Sequence, residues 1–240
     1  MRYRLVCLDA GFTLLAPRST LGDGLRNLLA GHGHDISDEQ VRKAWEVADR
    51  WFWDSYHRSG NDTWGDDAKI DAAWREYHSL MLRELGIEDP DHQLIETILA
   101  AQYAPESWEL YPDVLPAVRE LRELGMRLGI VSDWGSNLLP MVDALGLGGE
   151  LDFVIASGAV GLSKPDPALF LLAATRVGVP PREALMVGDS YRADIEGAEA
   201  AGMDAILIRR PEWSDRRETV PPGARVIASL AELPEIVRSS

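Results

Sequence analysis

The chain begins with a short run of consecutive apolar residues and then changes to long stretches with helical periodicity. Residues 4–9 read RLVCLD, and consecutive rather than alternating apolar positions predict a buried strand. From about residue 17 to residue 103, apolar residues recur at helical spacing, with candidate caps at Ser37 and Asp38 and a stop at Gly86. No strand pattern interrupts that section.

The pattern changes again beyond residue 110, where short apolar runs alternate with helical stretches. These runs occupy residues 128–131, 153–156, 185–187, 205–208 and 226–228. Such alternation is typical of parallel strands joined by crossover helices, so we predict an α/β fold with a Rossmann-like parallel sheet. The first strand then belongs with the end of the chain. We expect one core domain made of residues 1–15 and 106–240, with residues 16–105 as an inserted helical domain.

Composition narrows the classes of function. A chain of 240 residues with 46% hydrophobic content can bury a sizeable core. A net charge of −15 repels a phosphate backbone, so we expect no nucleic-acid partner. The single cysteine, Cys7, excludes an internal disulfide, and no apolar run approaches the roughly 18 residues of a membrane span. We therefore expect a cytoplasmic protein with no leader segment and no membrane contact, as a monomer or a homodimer.

Polar side chains stand where several of the predicted strands end. They are Asp9 after the first run, Ser132 and Asp133 after the second, and Asp189 beyond Gly188. Ligands of open parallel sheets bind at the carboxyl ends of the strands, so we expect these residues to converge on one site. The loop GLSKPDPALF adds Lys164 to the same edge.

The residue types at this edge favour chemistry on phosphate. Asp9 and Asp189 offer hard oxygen ligands, which suit Mg²⁺ when water fills its remaining positions. Lys164 and the hydroxyl of Ser132 would hold phosphate oxygens, and backbone N–H groups after Asp9 would add to that contact. A carboxylate in this position is also a candidate nucleophile, because Asp and Glu form acyl-phosphate intermediates.

Four motifs occur in order along the chain: CLDAGFTLL, GIVSDWG, SKPDP and VGDSYRAD. Together they resemble the motifs of the haloacid dehalogenase-like hydrolase superfamily, in its helical-cap type, and they span nearly the whole predicted core. The resemblance implies that residues 16–105 form a helical cap, which closes over the site and selects substrates. It also implies Mg²⁺ as the cofactor and a small phosphorylated molecule as the substrate.

The resemblance further implies a role for individual residues. Asp9 would be the nucleophile, and Ser132 and Lys164 would hold the transferred group. The metal ligands would be Asp9, Asp189 and the carbonyl oxygen of Gly11, with Thr13 and Asp194 as supporting residues. The substrate contacts would be Ala10, Gly11, Ser132, Asp133 and Lys164. Asp194 fits equally well as an acidic residue at a helix N-terminus, which the helix dipole favours.

Position 11 departs from the pattern of the phosphatases in this superfamily. They usually carry a second acid two residues after the nucleophile, which protonates the leaving alkoxide and then activates water. Here that residue is Gly11. General acid–base help of this kind is typically worth about 10²–10⁴ in rate. Asp49, Asp54 and His57 of the predicted cap are candidates for an acid that acts in its place.

The missing acid leaves three alternatives to a phosphatase. Two are enzymes of the same superfamily that cleave carbon–halogen or carbon–phosphorus bonds. The first needs no metal, whereas the second needs a cap lysine that forms a Schiff base, for which Lys43 and Lys69 are the candidates. The third alternative is a non-catalytic module that binds a phosphorylated ligand or a protein partner.

Aromatic residues are concentrated in the predicted cap. Eight of them lie within about thirty residues: Trp45, Trp51, Phe52, Trp53, Tyr56, Trp64, Trp74 and Tyr77. One interpretation is that they form the small core of the cap or a dimer contact. The other is that some of them line the substrate pocket. The sequence leaves both open.

Overall fold

A six-stranded parallel sheet lies at the centre of the fold. The computed structural model describes residues 1–19, 21–56, 62–89, 92–211 and 220–240. Its strands are β1 (Leu5–Leu8), β2 (Leu15–Pro17), β3 (Trp108–Leu110), β4 (Arg127–Ser132), β5 (Phe153–Ala156), β6 (Ala184–Gly188), β7 (Asp204–Ile208) and β8 (Val226–Ile227). The parallel sheet has the order β5-β4-β1-β6-β7-β8. This architecture confirms the predicted α/β fold class.

Strand β1 lies in the middle of the sheet, between β4 and β6. All four of its residues are fully buried, as expected for a strand covered on both faces. Leu8, its last residue, pairs with Ile130 of β4 and with Val187 of β6. Because the three strands end at nearly the same level, the residues that follow them meet at one edge of the sheet.

A helical insert separates β1 from β3, as predicted. Its helices are α1 (Leu21–Gly31), α2 (Asp38–Tyr56), α3 (Asp67–Glu84) and α4 (Gln93–Tyr103). The predicted helix start and helix stop are confirmed. Helix α2 begins directly after Ser37, and the chain turns at Gly86, with φ of 70°, just after α3. The insert has its own buried core, which includes Leu29, Ala48 and Leu82.

The short strands β2 and β3 pair antiparallel where the insert leaves the sheet and rejoins it. Leu15 pairs with Leu110, and Pro17 pairs with Trp108. The sequence pattern did not predict this ribbon, because three-residue strands are too short to show a period. The boundaries assigned to the two domains, at residues 15/16 and 105/106, stay a prediction.

Helices cover both faces of the parallel sheet. They are α5 (Val114–Glu123), α6 (Leu138–Ala144), α7 (Ser157–Val160), α8 (Pro167–Arg176), α9 (Gly197–Ala200) and α10 (Leu233–Arg238). On one face α5, α6 and α10 pack around Val6 and Leu8, and on the other α8 and α9 pack around Leu5 and Cys7. Among the described residues, no helix combines the length and hydropathy needed to cross a bilayer.

Candidate active site

The chain turns tightly directly after β1. The carbonyl oxygen of Ala10 accepts hydrogen bonds from the N–H groups of Leu14 and Leu15, each at 2.9 Å. Within this turn Phe12 has φ of 57°, whereas Gly11 does not lie in the left-handed region. The turn conformation therefore does not require glycine at position 11.

Thr13 lies inside this turn and is fully buried. Its carbonyl oxygen accepts a hydrogen bond of 2.7 Å from Arg210, whose guanidinium also binds Asp113 at 2.6 Å. The Thr13 hydroxyl has no hydrogen-bond partner within the part of the chain that the structure describes. The backbone of Thr13, rather than its side chain, thus joins the loop to its support. Sequence reasoning missed Arg210, because nothing local marks an arginine 197 positions away.

The carboxylate of Asp9 meets a hydroxyl and an ammonium group at the end of β1. Its Oδ1 atom accepts from Ser132 Oγ at 3.0 Å and lies 2.6 Å from Lys164 Nζ. All three residues are buried, with Asp9 only 7% exposed. The structure thus brings together the three residues to which the sequence assigns catalysis.

Lys164 also forms an ion pair with Asp194, so one ammonium group contacts two carboxylates. Burial by itself lowers the pKa of Lys164, but the carboxylates of Asp194, Asp9 and Asp133 outweigh that effect, and the net shift of its pKa is upward. Lys164 is therefore a permanent cation at neutral pH.

Asp194 lies in a helical turn, Tyr191–Glu196, that follows β6. It is 1% exposed and accepts from the backbone N–H of Ser190 at 3.0 Å. Burial raises the pKa of its carboxyl, and Lys164 opposes that shift. Gly188 leaves the space that Asp194 occupies, because a Cβ atom there would lie 2.2 Å from the Asp194 carboxyl group. Asp194 thus stands near the start of a helical turn and also faces the site.

Three carboxylates converge beside Lys164. One oxygen from each of Asp9, Asp189 and Asp194 lies within 4.8 Å of the other two, and all three residues are buried. Carboxylates this close repel one another unless positive charge offsets them. Lys164 supplies one charge, and a divalent cation would supply the other two. The donors therefore fit Mg²⁺, which takes oxygen ligands.

Asp133, directly after Ser132, links the core to the insert. Its Oδ1 atom accepts from the backbone N–H of Lys164 at 2.9 Å, and its Oδ2 atom accepts from the hydroxyl of Tyr56 at 2.9 Å. Burial is the main cause that raises the pKa of Asp133 to about 7. Burial and the neighbouring Asp133 hold the pKa of Tyr56 well above its ordinary value.

One cavity of about 770 Å³ lies between the insert and this edge of the sheet. Asp9, Gly11, Ser132, Asp133, Lys164, Asp189 and Asp194 line its core side. Of the acids considered as substitutes in the insert, Asp49 lines the cavity and accepts from Tyr77 at 3.0 Å. Asp54 is exposed and is not among the lining residues, and His57 lies outside the described residues.

The two candidate Schiff-base lysines do not line this cavity. Lys43 is exposed and pairs with Glu39 at 3.4 Å, and Lys69 pairs with Asp62. Lys164, the third lysine of the chain, belongs to the core and already contacts two carboxylates. The placement of the lysines thus offers no support for carbon–phosphorus cleavage through a cap lysine.

A family model of haloacid dehalogenase-like hydrolases matches residues 3–202. The chain belongs to this family. The haloacid dehalogenase-like hydrolase domain-containing protein 3 of Mus musculus is 29% identical over 239 residues, which cover 97% of this chain and 93% of the relative. The glyceraldehyde 3-phosphate phosphatase of Methanopyrus kandleri is 37% identical over 142 residues, or 58% of this chain and 60% of the relative.

Solved structures of the family share the fold of the whole chain. The crystal structure of the defluorinating L-2-haloacid dehalogenase Rha0230 is similar with a TM-score of 0.77. The similarity covers 98% of this chain and 95% of the dehalogenase, at 24% sequence identity. At that identity the likeness establishes the core sheet and its helical insert, and it leaves the reaction open.

Proposed function

We propose that this hydrolase is a Mg²⁺-dependent phosphatase, which cleaves a small phosphorylated molecule through an aspartyl phosphate on Asp9. The observation that carries the proposal is the pairing of the Asp9 carboxylate with Lys164 and Ser132 beside two further buried carboxylates. Cationic and hydroxyl donors around a carboxylate suit the transfer of a phosphoryl group to that carboxylate. The phosphatase named among the relatives agrees with this chemistry.

The reaction begins at the Asp9 carboxylate. One of its oxygens attacks phosphorus, and the bond from phosphorus to the ester oxygen breaks, so that the electron pair leaves with that oxygen. Ser132 and Lys164 hold the carboxylate in place through contacts of 3.0 and 2.6 Å. Lys164 also offsets the negative charge that gathers when a phosphate approaches an aspartate.

The residues that would hold Mg²⁺ are Asp9, Asp189 and the carbonyl oxygen of Gly11, with Asp194 as their support. When bound, the ion supplies positive charge that reduces the repulsion between the carboxylate and the phosphate. Ala10, Gly11 and Asp133 would add backbone contacts to the phosphate oxygens.

We assign the proton for the leaving oxygen to Asp133. Its carboxyl lines the cavity next to Ser132, and Tyr56 and the Lys164 backbone hold both of its oxygens. With a pKa of about 7, it is partly protonated at neutral pH, as a general acid must be. After the proton is delivered, the Asp133 carboxylate accepts one from the water that hydrolyses the aspartyl phosphate. Asp133 thus takes the place of the acid missing at position 11.

Phosphate release from a panel of phosphate esters, with Asp9→Asn as the matched variant, tests this function. Asp9→Asn keeps the size of the side chain but removes its charge and its nucleophilicity, so we expect turnover to fall below detection while circular dichroism stays unchanged. Haloacids and phosphonates belong in the same panel. Undiminished phosphate release by a folded Asp9→Asn protein would remove Asp9 from its role. Halide release without added metal would favour the dehalogenase alternative, and recovery of every compound intact would favour the binding module.

A further inference from the structure

Aromatic rings from the insert form the wall of the cavity opposite Asp9. Six of the lining residues are Trp45, Phe52, Trp53, Trp64, Trp74 and Tyr77, from α2, α3 and the short turn between them. The same cavity contains the nucleophile and Lys164. A group attached to a phosphate at Asp9 would therefore extend toward these rings.

The rings hold one another in place. The centroid of Phe52 lies 5.7 Å from that of Tyr56, 5.6 Å from Trp64 and 5.4 Å from Trp74. Aromatic pairs at such distances are in favourable contact. The rings thus form an apolar surface that is ordered before any ligand binds, which lowers the entropic cost of binding.

The rings of the aromatic cluster differ in whether they pack in the core of the insert, line the cavity or do both. Trp45, Phe52 and Trp74 pack against the buried core of the insert and also line the cavity. Trp53 lines the cavity and does not belong to that core. Trp51 packs against the core and is not among the lining residues. Trp53 and Trp51, on one helix, therefore separate a ligand-facing role from a structural one.

Charge in the cavity selects against a second anionic group. Glu46 and Asp49 line it on the side of the insert. Arg42, which also lines it, is bound to both Glu39 and Glu46, so these three groups together carry one net negative charge. Burial lowers the pKa of His78, which keeps that ring neutral at pH 7. Besides Arg42, the described lining residues include one more Lys or Arg side chain. It is Lys164, which lies beside Asp9 at the core side of the cavity.

We infer that the preferred substrate is a phosphate monoester whose alcohol carries an aromatic ring and no second anionic group. The inference rests on the proposed phosphatase function and names its substrate class. A cavity of about 770 Å³ has room for a ring-bearing ester, since pockets for ligands of that size are typically about 300–1,000 Å³. A small polar sugar phosphate would leave most of this apolar wall in contact with water.

The test compares 2-phenylethyl phosphate with ethyl phosphate, whose alcohols are of similar acidity, so that the chemical step is alike. We expect the ring to raise kcat/KM by about 30-fold, mainly through KM, as burial of one aromatic ring predicts. Trp53→Ala should reduce this preference by about tenfold, since it removes part of the apolar contact. Trp51→Ala should leave the preference unchanged. Equal loss in both variants, or equal kcat/KM for the two esters, would overturn the inference.

Calorimetry with the corresponding phosphonates, which have no ester bond to break, separates this inference from the proposed function. In the presence of Mg²⁺, 2-phenylethylphosphonate should bind about 30-fold more tightly than ethylphosphonate. A carboxyl group added to the ring should weaken binding by at least about tenfold, because the net negative charge of the Arg42, Glu39 and Glu46 cluster repels it. Ring-dependent binding without phosphate release from any ester would refute the phosphatase and leave the cavity as a ring-selective ligand site. Equal affinities, with phosphate release intact, would refute the inference alone.

Discussion

The substitution Asp133→Asn tests the proposed step in which the leaving oxygen receives its proton from Asp133. The amide has nearly the same shape as the carboxyl group, and its oxygen can still accept from the Lys164 N–H, as Oδ1 of Asp133 does at 2.9 Å. What the variant loses is the acidic proton. Its effect should therefore depend on how much the leaving group needs that proton.

The expected magnitude follows from this dependence. An alkoxide needs a proton as it leaves, so turnover of alkyl phosphates should fall by about 10²–10⁴ in Asp133→Asn. A nitrophenolate is stable without one, so turnover of nitrophenyl phosphate should change by no more than about threefold. The slope of log rate against leaving-group pKa should be shallow in the natural protein and steep in the variant.

The pH profile supplies a second readout with a defined sign. Burial raises the pKa of Asp133 to about 7, so its proton-bearing form is present below pH 7 and is lost as the pH rises through that value. Turnover of alkyl phosphates should decline on the alkaline side, and this decline should be absent in Asp133→Asn. Tyr56→Phe removes the hydrogen bond of 2.9 Å that holds the carboxyl, and we expect about a tenfold loss with alkyl esters.

Steady-state phosphate release from a series of alkyl and aryl esters, at several pH values, measures both quantities. Circular dichroism and the Mg²⁺ requirement of each variant serve as controls. Equal losses for alkyl and nitrophenyl esters would show that Asp133 positions the phosphate or Lys164 instead of donating a proton. Alkyl turnover at the natural rate in folded Asp133→Asn would refute the assignment.

Three further outcomes are expected. Gly11→Asp in the Asp133→Asn protein should restore alkyl-ester turnover, measured as phosphate release, by at least about tenfold, because it supplies an acid at position 11. The side chain has room there, since a Cβ atom at position 11 would lie 3.4 Å from Trp134, an ordinary contact. Asp189→Ala should raise the Mg²⁺ concentration for half-maximal activity by at least about tenfold in a metal titration, and chelation should abolish natural turnover. Burial lowers the pKa of His78, so the unfolded chain binds a proton there more readily than the folded protein does. The free energy of unfolding should therefore decrease as the pH falls below about 6.5, and urea titrations should show a smaller decrease for His78→Gln.

The edge of the sheet that carries the candidate site was predictable because its signals are local. A strand buried on both faces must be apolar at consecutive positions, and RLVCLD shows this directly. The parallel topology then places Asp9, Ser132 and Asp189 at one edge, whatever the details of packing. The loop GLSKPDPALF added Lys164 to this edge, and Asp194 was assigned through the resemblance that the ordered motifs carry.

The aromatic cluster was predictable as a concentration of rings, but its function was not. Burial of a ring in a helical core and exposure of a ring to a cavity produce the same residue type at the same helical spacing. Only the packing of α2 against α3 and over the sheet separates Trp53, which lines the cavity, from Trp51, which does not.

The proposed role of Asp133 and the freedom of position 11 depend on tertiary structure alone. Tyr56 and Asp133 are 77 positions apart and meet only because the insert folds back over the sheet. The raised pKa of Asp133 is likewise a property of its burial, which no short stretch of sequence encodes. The left-handed residue of the turn is Phe12, not Gly11, because the hydrogen bonds that close the turn constrain its backbone. The sequence by itself placed the charged and polar groups that follow the strands at one edge of the sheet. The tertiary structure added Tyr56 and Arg210 and decided the environment of these groups, since burial and long-range contact exist only after folding.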